Sequence, residues 1–136
     1  MNLTAIVGFA FVLVAGIKAG FTPNPCSARR YIASDGHRCD SLAEKMIDDF
    51  LSEHNVVHER SIPYLGYNKF RVDFVIDGVF IEYFGRVGLH DYDEIIKRKK
   101  ALCQQTNIRL IELYPLDVLE KKKLPILLAE FINQKE

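Results

Sequence analysis

The stretch RVDFVIDGVFIEYFG, residues 71–85, consists almost entirely of strand-forming residues arranged around an Asp77-Gly78 dipeptide. Asp-Gly between two apolar runs is the strongest short-range hairpin signal. The spacing predicts strands over 70–76 and 79–84. A two-residue turn also sets the register, placing Ile76 opposite Val79, Val75 opposite Phe80 and Phe74 opposite Ile81. The next pair is Asp73 and Glu82. Directly opposed residues share a face, with Cβ atoms roughly 4.5–5.5 Å apart. Two carboxylates held so close repel one another unless a shared proton, a nearby cation or a bound metal ion intervenes. A hard divalent cation such as Mg²⁺ suits two carboxylates and a backbone carbonyl, with water completing its shell. The competing reading is a different register, with one acid solvated at the strand edge.

Outward from the hairpin, the pattern predicts a helix over 41–54 with Leu42, Ala43, Met46, Ile47, Phe50 and Leu51 on its inner side. A short strand follows over 56–60. A second helix spans 91–106, with Tyr92, Ile95, Ile96, Leu102 and Cys103 inward, and IRLIEL (108–113) reads as a buried strand. Beyond Pro115 comes a last helical region, about 116–134, in which Pro125 marks a break or a start. The order is α-β-β-β-α-β plus a terminal helix.

Two further side chains join the acid pair by position. Glu44 stands three residues after Ser41, so S-L-A-E is a capping box, and a first-turn carboxylate can also face the sheet. Lys99 falls in the centre of the apolar stripe of the 91–106 helix, whereas Lys97, Arg98 and Lys100 point elsewhere. A lysine on a buried stripe either snorkels out or has an anionic partner, and the hairpin acids are the partner on offer. Arg71, two residues before Asp73, competes for that role or forms a plain salt bridge.

Composition bounds the rest. The 136 residues carry 18 basic and 18 acidic side chains, so no overall basic field points to nucleic acid. The local runs KRKK (97–100) and KKK (121–123) are either phosphate contacts or solvated helix faces. Three cysteines at irregular spacing, Cys26, Cys39 and Cys103, argue against a disulfide framework and fit a reducing compartment. Cys26, His37 and Cys39 would make three zinc ligands, but a fourth is missing and the spacing is unusual for a zinc site. Residues 3–17 carry no charge. About 20 apolar residues are needed to span a bilayer, so this run reaches that length only with Lys18 snorkelling and Phe21 included. Positives at Lys18, Arg29 and Arg30 would then keep the following domain in the cytoplasm. Residues 1–30 thus read as a hydrophobic leader, a membrane anchor through 1–22 or a buried segment, followed by a Pro-rich linker. The folded domain occupies 31–136.

A helix Glu, a strand Asp, a strand Glu and a buried Lys on this frame resemble the PD-(D/E)XK nucleases, the restriction-endonuclease-like superfamily, over roughly residues 34–113. SDGHRCDSLAEKMIDDFL, VVHER, RVDF, FIEYFG and NIRLIEL are similar to a subgroup of small uncharacterised nucleases related to repair-type and helicase-linked nuclease domains. That subgroup's pattern reads G-H-x-x-x-S-x-x-E, D-F, I-E-Y-W/F-G and then a helix lysine. The resemblance implies an αβββαβ core with a mixed central sheet flanked by helices. It also implies Mg²⁺- or Mn²⁺-dependent phosphodiester hydrolysis, with DNA as substrate. Asp73, Glu82 and the Tyr83 carbonyl would hold the metal, with Glu44 acting through water. Lys99 would be the catalytic cation, and Arg71, Lys97, Arg98 and Lys100 would meet the substrate. A homodimer is compatible with it. Val72 and Phe84 depart from the pattern, since a proline and a lysine are expected there. The superfamily moves that lysine to the neighbouring helix, where Lys99 matches. His37 and His90 read as surface residues outside the catalytic set. The alternatives are an inactive nuclease-like module that binds nucleic acid or a membrane-associated partner, and a membrane-attached structural protein.

Overall fold

A computed structural model describes residues 31–132. The leader and linker of residues 1–30, Cys26 and the end of the last predicted helix lie outside them. The elements are α1 (Leu42–Glu53), β1 (Glu59–Tyr64), β2 (Tyr67–Ile76), β3 (Val79–Tyr83), α2 (His90–Gln105) and β4 (Leu110–Leu113). Three short helices follow: α3 (Pro115–Leu119), α4 (Lys123–Leu127) and α5 (Ala129–Ile132). The chain is mixed α/β, with four strands in the order β1-β2-β3-β4. The first two pairings are antiparallel and β3–β4 is parallel, so α2 is the crossover that a parallel pair requires.

The hairpin forms as its turn dictates. Asp77 and Gly78 take φ of 48° and 78°, the positive values a tight primed turn needs. Ile76 pairs with Val79, Val75 with Phe80 and Phe74 with Ile81. The ladder stops there, one step short of Asp73 and Glu82. In a continued ladder the Tyr83 N–H would donate to the Val72 carbonyl; instead it donates to Asp73 Oδ2 at 2.7 Å. The strands part at the acids, while β3 stays paired to β4 through Glu82–Glu112 and Tyr83–Leu113.

The sheet separates two cores. Ile47 and Leu51 of α1 pack with Phe74, Ile76, Ile81 and Leu113, and α3 to α5 add Val118, Leu124 and Phe131. Cys103 and Leu102 of α2 cover Tyr64, Val72 and Phe80 in the other. By strand alternation Glu82 shares the Phe80 face, the one α2 covers.

Several sequence expectations shift. The first strand runs over 59–64 rather than 56–60, and Pro63 is tolerated because β1 is an edge strand. The inner stripe of α1 is Glu44, Ile47, Asp48 and Leu51, whereas Leu42 and Met46 are exposed. Apolarity alone misplaced that stripe because two acids on it have buried partners. Ile95 of α2 is likewise exposed. The single terminal helix is three short ones: Pro125 lacks the N–H an uninterrupted helix would need, but fits the first turn of α4, where that N–H has no partner. Among the described residues no helix is long and apolar enough to cross a membrane.

Candidate metal centre

Glu82 stands at the middle of the site and is 1% exposed. Leaving a carboxylate there requires partners. Lys99 Nζ donates to Oε1 at 2.9 Å and Oε2 at 3.0 Å, and the Tyr64 hydroxyl donates to Oε1 at 2.8 Å. Helical periodicity delivers Lys99: its side chain reaches in from the covered stripe of α2, and its ammonium also donates to the Arg71 carbonyl at 3.2 Å. Lys99 therefore meets Glu82, the hairpin acid its position in the stripe faces.

Asp73 lies beside Glu82. Burial, and next the negative charge of Glu82, push its carboxyl up to about 7, against the opposing effects of the Tyr83 N–H and Lys99. Asp73 thus exchanges a proton near neutrality. The Tyr92 hydroxyl approaches the Tyr83 carbonyl at 3.5 Å. Burial, then the charges of Asp73 and Glu82, push that phenol up to about 12, so it remains a neutral donor.

Glu44 sits at the start of α1, where Ser41 caps the helix by accepting the Glu44 N–H. The Glu44 carboxylate does not close the box on the Ser41 N–H; it accepts from the Asp40 N–H at 3.1 Å and the Ser41 hydroxyl at 3.2 Å. Arg60 Nη2 donates to it as well. Burial and then the charge of Asp73 raise its pKa. Glu44 thus caps the helix and belongs to the electrostatic neighbourhood of the hairpin.

Arg60 and Tyr64 are the residues that sequence reasoning missed. Arg60 is largely buried and links Glu44, the Arg38 carbonyl, the Asp73 carbonyl at 3.4 Å and the Phe74 ring. The available signal was the first strand: extended through residue 64, it would have set Arg60 opposite Phe74, beside Asp73.

The other basic residues stand elsewhere. Arg71 is exposed and donates to Ser61 Oγ at 2.8 Å. Its side chain still lines a cleft of about 350 Å³ with Arg38, Asp40, Arg60, Ser61, Val72 and Asp73. Lys97 pairs with Glu94, Arg98 lies over the Tyr67 and Phe70 rings, and Lys100 pairs with Glu112 at 3.0 Å. None of the three reaches the hairpin acids. Phe84, where a strand lysine is expected, is 1% exposed and packs against the Tyr114 ring. Gly85 leaves room for the Tyr83 ring: a Cβ there would lie 2.6 Å from it, and the ring would have to shift.

Of the Cys26–His37–Cys39 zinc set, Cys26 lies outside the described residues, and Cys39 is buried, with burial pushing its thiol up to about 11. His37 is no plain surface residue; it bonds Asp35 and Asp48. His90 is 87% exposed in its side chain.

Asp73, Glu82 and the Tyr83 carbonyl would offer an ion oxygen donors only. Three carboxylates, counting Glu44, face two fixed cations, Lys99 and Arg60. That composition fits a hard divalent ion such as Mg²⁺ or Mn²⁺. No family model, curated protein or solved structure matches this chain. What fold and site define together is a mixed α/β domain with an acid pair and a buried lysine at the point where its hairpin parts.

Proposed function

We propose that this chain is a metal-dependent nuclease of the PD-(D/E)XK, restriction-endonuclease-like kind, hydrolysing phosphodiester bonds in DNA with Mg²⁺ or Mn²⁺. One observation carries the reading: a buried Glu82 held on both oxygens by Lys99 lies beside an Asp73 carboxyl raised to about 7. Asp73, Glu82 and the Tyr83 carbonyl would hold the ion, with Glu44 supporting it. A divalent ion there supplies Lewis-acid stabilisation of charge that develops on a phosphodiester.

The protein's own groups account for the rest. Lys99 fixes Glu82 and brings positive charge to the reacting phosphate. Before an ion binds, the raised Asp73 carboxyl can hold a proton, which the ion would displace. The cleft beside Asp73 is walled by Arg38, Arg60 and Arg71, and guanidinium groups suit phosphate recognition. Arg38 and Arg71 would bring positive charge to a phosphodiester in this cleft, which Asp40 and Asp73 also line, although the chain as a whole is neutral.

The test is divalent-metal-dependent cleavage of plasmid and linear DNA by the full chain. Cleavage is expected to disappear in Asp73→Ala and Glu82→Ala proteins whose circular dichroism matches wild type. Wild-type rates in both variants would refute the assignment. DNA binding without turnover under any divalent metal would instead identify an inactive nuclease-like module, the reading that the buried Phe84 favours.

A further inference from the structure

A second constellation lies apart from the hairpin acids. Residues 32–38 form a turn closed by the Ile32–Arg38 bridge, and it carries Asp35 and His37. Asp48 comes from the inner stripe of α1 and is 0% exposed, and His58, just before β1, is 3% exposed in its side chain. One ligand atom from each of the four lies within 4.8 Å of the others.

The four ligand atoms are close enough to converge on one ion. His37 Nδ1 lies 2.9 Å from Asp35 Oδ2 and 3.4 Å from Asp48 Oδ1. His58 Nε2 lies 3.4 Å from Asp35 Oδ2 and 3.0 Å from Asp48 Oδ1. A tetrahedral zinc ion with ligands at about 2.05 Å has ligand-to-ligand edges of about 3.3 Å. Two of these four separations, at 3.4 Å, equal that edge to within 0.1 Å, and the other two, at 2.9 and 3.0 Å, are 0.3–0.4 Å shorter, so the side chains need only small shifts to admit the ion.

The second observation concerns the tautomer. His58 Nδ1 is 2.9 Å from the Val56 carbonyl, which can only accept, so Nδ1 carries the proton. Nε2 of a neutral ring then aims its lone pair at two carboxylate oxygens. That contact is repulsive unless a cation or a second proton lies between them. A ring N–H anchored on a backbone carbonyl is also how metal-bound histidines are held.

We propose that Asp35, His37, Asp48 and His58 form a four-coordinate transition-metal site, occupied by zinc, that fastens the 32–38 turn to α1 and to the entry of β1. Two carboxylates and two neutral imidazoles match a divalent ion in charge, and mixed nitrogen and oxygen ligands select zinc over magnesium. Four protein ligands leave no open position, so the site is structural rather than catalytic. It shares no ligand with the hairpin acids.

The test uses the full chain carrying Asp73→Asn and Glu82→Gln, which removes the hairpin donors. Zinc titration is expected to saturate at one ion per chain and, at a hundredfold excess over Kd, to raise Tm by on the order of 10 °C. Cobalt(II) in its place should give the intense visible absorption of a tetrahedral centre. His37→Gln, at a half-exposed ligand, should weaken zinc binding at least tenfold while the far-ultraviolet dichroism stays unchanged. His58→Gln should do the same. Absence of stoichiometric zinc, or zinc binding unaffected by both histidine variants, overturns the proposal. So does a Tm that responds to pH but not to zinc, because a proton on His58 would then be the occupant.

Discussion

Two carboxylate centres share Arg60 and neutralise their buried charge by different means. At the hairpin, Glu82 is met by the ammonium of Lys99 and the phenol of Tyr64. At the turn and α1, Asp48 is met by the imidazoles of His37 and His58, with Arg60 Nε 3.5 Å from Oδ2. The difference lies in what each partner can become. An ammonium at neutral pH is a fixed cation; it cannot turn into a ligand, so exchange is confined to the Asp73 side. An imidazole becomes a ligand by losing its proton. The hairpin therefore suits an oxygen-seeking ion that competes with a proton, and the turn suits a tightly held one.

Breaking the hairpin pair should have the largest effect. Lys99→Met leaves Glu82 buried with Tyr64 alone, so unfolding in urea should show a loss of about 3 kcal/mol. Cleavage of plasmid DNA should fall on the order of 10³-fold, since the positive charge beside the reacting group is gone. Lys100→Met is the matched control, because its partner Glu112 neighbours Glu82 on β4 but remains solvent-accessible. Its stability change should stay under about 0.5 kcal/mol. Equal losses in the two variants would show that burial does not separate the pairs.

A strong chelator should separate the centres next. Stripping the wild-type chain is expected to lower its Tm and abolish cleavage together. Adding Mg²⁺ alone should then restore cleavage far more than Tm, whereas zinc should restore Tm. If magnesium recovers both in full, the two centres are not distinct in metal preference.

The effect of pH has a definite sign. The Asp73 carboxyl is raised from 3.8 to about 7, so its protonated form favours the folded state, and that contribution is lost as pH rises through 7. On the proposed function, a divalent ion would replace the proton. Calorimetric Mg²⁺ affinity should therefore rise about tenfold per pH unit below 7 and level off above it. A flat profile across that window would mean Asp73 is not displaced by the ion. The smallest effect is expected from Gly85→Ala: the Tyr83 ring must yield to the new Cβ, and cleavage should drop by roughly threefold if the carbonyl beside it shifts.

The legible parts of this protein were the local ones. Asp77-Gly78 set the register of Phe74, Val75 and Ile76 against β3, and the period of α2 brought Lys99 to Glu82. The helix-first arrangement, with three antiparallel strands, a helix and a fourth strand in a mixed sheet, also followed the expected order. Asp48 escaped because a buried acid on an apolar stripe resembles a surface residue until its partners are known. His58, Arg60 and Tyr64 escaped with it, because the first strand begins at Glu59 and continues through Pro63.

By itself the sequence determined the hairpin, its two acids and the phase of the helix that covers them. Those features depend on φ preferences and side-chain periodicity acting over a few residues. Only the tertiary structure decided that β2 and β3 part at Asp73, and that Asp35, His37, Asp48 and His58 meet. Such contacts join segments 10 or more residues apart, as His58 and Asp48 are. They are selected by the cost of leaving a buried charge without a partner, which no local pattern encodes.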